Sequence, residues 1–393
     1  MISVEDAIRI VKDNTTQTHN FEKKIVSEAL DFVLYEDVIS PINMPPFRQS
    51  AMDGYALCLH EESFYNIISE VKAGDNFQPT LKEGEAVRIF TGAPVPDSAN
   101  TVIMQEKTSL ENGFLRIEAI ASLNENIRPL GEQVLKNQIA LKKGSFLTPA
   151  AIAFITSLGI TDISVYKKPT VAIVVTGNEL AEAGTDLNYG QIYESNALML
   201  CSALHQAGFK NVSTYKVDDN YENTVRLLGQ VISNYDVILV SGGISVGDYD
   251  FVGKALNELG IEPLFYKVKQ KPGKPLFFGK NEEKIIFALP GNPAAALSCF
   301  YIYVLIALER LSGNTLFSLH RLKAFSVSDF IKKGDRAQFL KAIYNNGTVE
   351  ILEGQNSSML HTFALANALV YLPETSGSII KNDVVEVILL PIN

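Results

Sequence analysis

The chain has 393 residues, of which 47% are hydrophobic and 20% are charged, and its net charge is −10. This length exceeds what one hydrophobic core holds, so about two to four domains are expected. The acidic balance argues against non-specific nucleic-acid binding, which needs a broad basic surface. Cys58, Cys201 and Cys299 lack metal-ligand spacing and suit a reducing compartment. No apolar run reaches the roughly 18 residues that span a bilayer, so a cytoplasmic protein is expected.

The first part of the chain predicts two kinds of structure. Ser3 is a typical N-cap before apolar residues at helical spacing, and Pro149 is typical of the first turn of a second helix. Between them, short apolar runs separated by turn residues predict strands at 87–90, 101–104 and 114–117. We expect a mainly-β domain over residues 41–138. A discontinuous helical N-terminal and linker domain is expected over 1–40 and 139–168.

Residues 169–315 alternate between strand and helix patterns. The apolar runs 171–175, 236–240 and 285–289 are typical of buried strands. Strands that alternate with helices imply parallel pairing with right-handed crossovers, and hence a doubly wound α/β sheet. Ligands of such sheets bind beyond the carboxyl ends of the strands. Residues 316–393 return to short strands and predict a C-terminal β domain.

Two segments rich in proline and glycine predict an anion site in the α/β domain. Residues 271–275 (KPGKP) place Lys271 and Lys274 on a stiff turn, and residues 290–293 (PGNP) lie between an apolar strand and an apolar helix. A strand, a tight turn and a helix N-terminus are the usual parts of an oxyanion site. Most lysines are simply exposed, but a solvated surface does not require flanking prolines. The pattern therefore favours binding of a phosphate or a similar anion.

Glycines and acids follow the predicted strands. Gly242 and Gly243 would let backbone N–H groups approach a ligand closely. The carboxylates predicted at the strand ends are Glu179, Asp218 and Asp250. Carboxylates would repel a phosphate unless a cation lay between them, so they predict Mg²⁺. The alternative is that they cap helices or are solvated surface acids. Asp219 is interpreted as a cap or turn residue.

Residues 243–247 (GISVG) also match the G-x-S-x-G turn of serine hydrolases, with Ser245 as the nucleophile. A hydrolase would need an acid and then a histidine downstream, which leaves His320 or His361 in the C-terminal β section. This alternative leaves the lysine segment without an explanation. It remains the rival of the anion-site hypothesis.

Together, these motifs resemble those of the molybdopterin molybdenumtransferase family, which includes bacterial MoeA and the gephyrin E domain. The shared segments occur in the family's order at 51–56, 91–94, 176–180, 190–196, 241–247, 271–275 and 289–293. The resemblance covers nearly the whole chain. It implies a multidomain α/β and β fold: a doubly wound, MogA-like α/β domain, a small mainly-β domain, a helical linker domain and a C-terminal β-barrel-like domain.

The resemblance also implies an activity. In the family, molybdate is inserted into adenylylated molybdopterin with Mg²⁺ and with release of AMP. The family forms homodimers whose cleft lies between the α/β domain of one subunit and the mainly-β domain of the other. A molybdopterin adenylyltransferase and molybdoenzyme apo-proteins are the implied partners. A further alternative is a non-catalytic dimeric scaffold of the gephyrin type. The chain retains the cleft residues of the family, which argues against this alternative.

Candidate site residues follow from the motifs and from the resemblance, position by position. The catalytic candidates are Asp53, Thr91, Glu179, Asp218 and Asp250, and the last three are also the candidate metal ligands. The substrate-binding candidates are Gly242, Gly243, Ser245, Lys267, Lys271, Lys274, Pro290, Pro293, Lys341 and Ser358.

Three positions depart from the family's pattern. Gln133 stands where the family often has an acid, and Ala295 stands where it commonly has a serine. Lys341 replaces an arginine of the molybdate pocket, which keeps the charge but loses the two-pronged guanidinium. We therefore expect weaker molybdate binding or altered discrimination against tungstate.

Overall fold

A computed structural model describes residues 1–118, 120–244, 251–282 and 284–392. The chain divides into two compact units, one formed by Met1–Glu22 with Tyr166–Asn393 and the other by Lys23–Val165. The helices are α1 (Val4–Asp13), α2 (Pro149–Ser157), α3 (Asn196–Gln206), α4 (Tyr221–Asn234), α5 (Phe251–Glu258), α6 (Pro293–Cys299), α7 (Leu305–Leu311) and α8 (Leu360–Leu365). As predicted, Ser3 caps α1 by accepting a hydrogen bond from the Asp6 N–H, and Thr148 caps α2.

The Lys23–Val165 unit is built mainly from strands. They are β1 (Phe21–Ile25), β2 (Val38–Ile39), β3 (Gln49–Ser50), β4 (Gly54–Leu57), β5 (Phe64–Val71), β6 (Glu85–Ile89), β7 (Thr101–Met104), β8 (Thr108–Glu111), β9 (Phe114–Ile117), β10 (Ile127–Arg128), β11 (Ile139–Leu141) and β12 (Asp162–Tyr166). Six of them form a sheet in the order β7-β4-β6-β5-β9-β8. Gly54 lies where β4 runs against β7, and a side chain there would place its Cβ 1.8 Å from the Ile103 carbonyl oxygen.

The other unit contains the α/β sheet and a second, closed sheet. Its strands are β13 (Val171–Thr176), β14 (Leu180–Ala181), β15 (Ile192–Tyr193), β16 (Val212–Val217), β17 (Val237–Ser241), β18 (Glu262–Lys267), β19 (Gln270–Lys271), β20 (Pro275–Asn281), β21 (Lys284–Leu289), β22 (Arg321–Ser326), β23 (Ala337–Asn345), β24 (Thr348–Ile351), β25 (Ala368–Leu372) and β26 (Val384–Leu389).

The α/β sheet has the strand order β16-β13-β17-β21-β20-β18. The first four strands are parallel, so their carboxyl ends share one edge. The parallel strands expected from the sequence are these four, whereas β20 runs antiparallel to both of its neighbours, β21 and β18. The short connection between β20 and β21 makes a hairpin, since it has no room for a crossover helix.

The helical run that follows β21 extends from Pro293 through a π-helical segment (Phe300–Val304) to Leu311. By length and composition these 19 residues are apolar enough to cross a membrane, so the expectation that no run is long enough is wrong. However, 83% of its most apolar 18-residue window is buried inside the protein. That burial is typical of a core helix, which here packs between the α/β sheet and the C-terminal strands.

The C-terminal strands form a closed sheet, as the family resemblance implies. The order is β23-β24-β22-β26-β25, and β25 pairs back onto β23 to close the barrel. Strand β19, which carries Lys271, adds to β23 in parallel. The KPGKP segment therefore leaves the α/β sheet and is fixed by the barrel before the chain returns.

Candidate functional site

A cavity of about 740 Å³ lies at the carboxyl edge of the parallel strands. Its lining comes from the turns after β13, β17 and β21, together with the start of α3 and one residue of the C-terminal section. The predicted site residues that line it are Glu179, Gly242, Gly243, Pro290, Pro293 and Ser358. This is the edge at which the strand-end rule expects ligands to bind, whereas Ser358 reaches the lining from the C-terminal section and was expected from the family resemblance.

Gly242 and Gly243 form the turn after β17, and neither position has room for a side chain. Gly242 has φ +95°, and a Cβ there would lie 2.4 Å from the Thr176 carbonyl oxygen. Gly243 has φ +62°, and its Cβ would lie 2.6 Å from Val252. Gly242 therefore lets the backbone after β17 pass directly against the backbone at the end of β13, and Gly243 lets it pass against the side chains of Val252 and Thr176.

Asn196 joins two of these strand ends. Its Nδ2 donates hydrogen bonds to Ser241 Oγ (2.8 Å) and to the Gly291 carbonyl oxygen (2.7 Å). Ser195, at the cap position of α3, makes no side-chain cap bond, whereas Glu194 accepts a hydrogen bond from the Ala197 N–H. Asn196 ends the segment 190–196 that the chain shares with the family, but the sequence did not show that it connects two strand ends.

Among the described residues, three carboxylates line the cavity: Glu179, Glu194 and Asp219. Asp219 accepts hydrogen bonds from Thr176 Oγ1 (2.6 Å) and from the Asn178 N–H (3.4 Å), so it fixes the turn that leads to Glu179. The candidate catalytic residue Asp218 instead lines a different depression, beside α4. The backbone turns at this point, with the Asn220 N–H donating to the Asp218 carbonyl oxygen (2.6 Å), and the sequence could not show which of the two acids faces the cavity.

The other candidate metal ligand, Asp250, and the hydrolase serine Ser245 lie outside the described residues. Within residues 1–118, 120–244, 251–282 and 284–392, no group of three or more His, Cys, Asp or Glu side chains is arranged to hold a metal ion. Among those same residues, no lysine or arginine lines the cavity. The described cavity is therefore acidic.

Lys271 and Lys274 lie on the segment that borders the cavity through Pro275. Gln270 holds this segment in place: it is 1% exposed, and its Nε2 donates to the Gly273 carbonyl oxygen (3.1 Å). Tyr303 in turn donates a hydrogen bond to Gln270 Oε1. Neither Lys271 nor Lys274 has a carboxylate partner in the described part of the chain, and Lys267 has none there either. These ammonium groups are left free for an anion.

Lys341 does not reach the cavity. Its ammonium group is buried and donates to three carbonyl oxygens, those of Gly354 (2.7 Å), Met359 (2.9 Å) and Asn356 (3.2 Å). Burial lowers the pKa of this lysine. The loop that it holds carries Ser358 to the cavity wall.

In the other unit, Asp53 and Thr91 are direct partners. Both the backbone N–H and the hydroxyl of Thr91 donate to Asp53 Oδ1, each at 2.7 Å. These bonds hold the pKa of Asp53 below its usual value. The sequence analysis named both residues as catalytic candidates but gave no sign that they touch, because 38 residues separate them.

Family models cover the chain in three consecutive parts. The MoeA N-terminal region (domain I and II) matches residues 2–159, the probable molybdopterin binding domain matches 172–310, and the MoeA C-terminal region (domain IV) matches 323–390. A molybdopterin molybdenumtransferase from Haemophilus influenzae is 33% identical over 372 residues, which cover 92% of each chain. The chain belongs to the MoeA family.

Other MoeA relatives extend over the full chain. A molybdopterin molybdenumtransferase from Staphylococcus epidermidis is 31% identical over 100% of this chain and 96% of its own. The crystal structure of the molybdopterin biosynthesis moeA protein from Pyrococcus horikoshii OT3 has a TM-score of 0.84 and 27% identity, covering 99% of this chain and 100% of that one. The multidomain fold implied by the sequence resemblance is thereby confirmed.

Proposed function

We propose that this MoeA-family protein inserts molybdate into adenylylated molybdopterin and releases AMP. Membership of the family makes it a transferase of molybdenum cofactor biosynthesis. The observation that carries the finer proposal is the cavity at the carboxyl edge of β13, β17 and β21. Its volume of about 740 Å³ is in the range that holds a nucleotide-sized ligand.

The turns around the cavity support binding of phosphate groups. Gly242 and Gly243 expose backbone at the end of β17, and Pro293 opens the helical run beside it. Asn292 precedes that helix without capping it through its side chain, so the helix dipole would favour a phosphate at this end, although the Ala295 N–H already donates to the Ser357 carbonyl oxygen. We assign the phosphates of the adenylylated pterin to this part of the wall.

The acidic lining supports a need for Mg²⁺. Glu179 and Asp219 supply the oxygen ligands that Mg²⁺ prefers, and this ion commonly binds through one or two carboxylates plus substrate phosphates. Glu179 would hold the ion, with Asp250 as the further candidate beyond the described residues and Asp218 as the weaker one. When bound, Mg²⁺ would neutralise phosphate charge that the carboxylates otherwise repel.

We assign molybdate to the lysine segment. Molybdate is a tetrahedral dianion, and Lys271 and Lys274 carry free ammonium groups on a segment that borders the cavity, with Lys267 nearby in sequence. Ser358 would complete this site from the C-terminal section. An oxygen of molybdate or of water would attack the phosphoanhydride phosphorus, the bond to the AMP oxygen would break, and AMP would leave with that electron pair. The two dithiolene sulfurs of the pterin would then bond to molybdenum, and one Mo–O bond would break. The oxygen would leave as water with the two thiol protons, or stay on the pterin phosphate if a molybdate oxygen had been the nucleophile.

The test is AMP release from purified adenylylated molybdopterin with Mg²⁺, with and without molybdate. We expect release that depends on molybdate and is lost in Lys271→Ala/Lys274→Ala. A matched control is Lys323→Ala, because Lys323 lies on β22, away from the lysine segment and the cavity lining. Absence of release from the unaltered protein would reject the transferase proposal, and labelling of Ser245 by a fluorophosphonate would favour the hydrolase.

We further propose a cytoplasmic homodimer in which Asp53 and Thr91 of one subunit serve substrate bound by the other. Mixing two inactive variants, Asp53→Ala and Glu179→Ala, would then create heterodimers with one intact site. In a two-fold dimer, random mixing should restore roughly a quarter of the unaltered activity. No recovery after confirmed subunit exchange would mean that Asp53 does not act across a subunit boundary.

A further inference from the structure

Lys341 and the loop that follows β24 form a single hydrogen-bonded unit. Lys341 lies on the barrel strand β23 and is 4% exposed. The three carbonyl oxygens that its ammonium group contacts all belong to residues 354–359. Gln355 adds two bonds to the Lys341 backbone: its Oε1 accepts from the N–H and its Nε2 donates to the carbonyl oxygen, both at 2.9 Å.

The far side of the same loop touches the start of α6. Asn292 Nδ2 donates to Ser357 Oγ (2.9 Å), and the Ala295 N–H donates to the Ser357 carbonyl oxygen (3.2 Å). The next residue, Ser358, lines the cavity. A continuous series of bonds therefore connects the buried ammonium group to the cavity wall at the PGNP turn.

We propose that Lys341 is a positioning residue, which shapes loop 354–359 so that Ser357 docks on α6 and Ser358 faces the molybdate. This rests on the function proposed above. An ammonium nitrogen carries three N–H donors, one for each carbonyl oxygen, so none is left for an anion. The nitrogens of a guanidinium carry at most two each, so arginine cannot reproduce three bonds from one atom.

The variants Lys341→Met and Lys341→Arg separate positioning from direct binding of molybdate. For Lys341→Met we expect at least tenfold faster amide exchange in residues 354–359 and at the Ala295 N–H. The KM for molybdate should rise at least tenfold, with kcat changed less than threefold, and Lys341→Arg should not restore it. Restoration of KM by arginine, or unchanged exchange in Lys341→Met, would overturn the proposal.

Lys332→Met is the matched control. Lys332 donates in the same way to the carbonyl oxygens of Pro373, Glu374 and Ser376, in a loop that does not line the cavity. We expect faster exchange in that loop without a change in the KM for molybdate. If Lys341→Met does not fold, Ser357→Ala tests the same connection and should also raise this KM; an unchanged KM would contradict the proposal. Amide exchange is measured without turnover, so it tests positioning even if the transferase assay fails.

Discussion

Replacing Gly242 with alanine tests whether the turn after β17 depends on close backbone contact. Gly242 has φ +95°, and its added Cβ would lie 2.4 Å from the Thr176 carbonyl oxygen. Thr176 ends β13, which is paired on both sides within the sheet, so this oxygen cannot move freely. The clash must be relieved by shifting the turn itself.

The expected cost has two parts. A left-handed backbone costs an L-residue about 1–2 kcal/mol, and forcing extra volume into a packed contact typically costs about 1–3 kcal/mol. We therefore expect Gly242→Ala to lower the free energy of unfolding by about 2–5 kcal/mol. The measurement is urea unfolding that is monitored by amide exchange in β13 and β17. A local probe is needed because the protein contains two units that need not unfold together.

Gly291→Ala is the control from the same cavity. A Cβ at Gly291 would meet its nearest neighbour, Gly242 Cα, at 3.6 Å, which is ordinary contact distance. We expect its stability to change by less than about 1 kcal/mol, as for most substitutions without a steric conflict. Equal stability of the two variants would refute the steric argument for Gly242. Reduced substrate affinity is expected in both variants, because both positions line the cavity.

Two other predictions concern ionisable groups. Burial raises the pKa of the Cys299 thiol to about 12. Iodoacetamide at pH 8 should therefore label Cys58 and Cys201 in the native protein and leave Cys299 unmodified. Rapid labelling of Cys299 would contradict its burial. Thr91→Val removes one of two bonds that lower the pKa of Asp53, so NMR titration should show this pKa rising but staying below its usual value. A carboxyl group whose pKa is lower in the folded than in the unfolded protein stabilises the fold above its unfolded pKa, and this effect is lost as the pH falls through its folded pKa. The variant should therefore be less stable than the unaltered protein above about pH 4 and equally stable in stronger acid. A loss of stability that does not depend on pH would contradict this origin.

The sequence predicted most elements because their signals are local. The run 171–175 has only apolar residues, and it forms β13 with every residue buried. The predicted strands 101–104 and 114–117 have the observed bounds, and turn residues precede both. The direction of β20 was not predictable in the same way, because strand direction depends on the length of the connection and on pairing with distant residues.

The site was predicted as a position in the fold more reliably than as a set of contacts. Gly242, Pro290 and Glu179 were expected at one edge because parallel strands bring their carboxyl ends together. Asp219 was taken for a turn residue, although its side chain, not that of Asp218, lines the cavity. Choosing between neighbouring acids requires the backbone geometry after β16, which one sequence does not contain.

The distribution of charge gives the two proposed ligands different surroundings. The described cavity is lined by carboxylates, whereas Lys271 and Lys274 lie beside it on a segment fixed to the barrel through β19. Phosphates in an acidic cavity need a mobile cation, while molybdate can be attracted directly by fixed ammonium groups. A buried lysine that donates only to carbonyl oxygens, as Lys341 does, contacts neither ligand directly and acts through the loop that it positions. The proposal thus assigns attraction of the anion to Lys271 and Lys274, which have no carboxylate partner among the described residues, and a residue type at a family position does not by itself show which role its charge has.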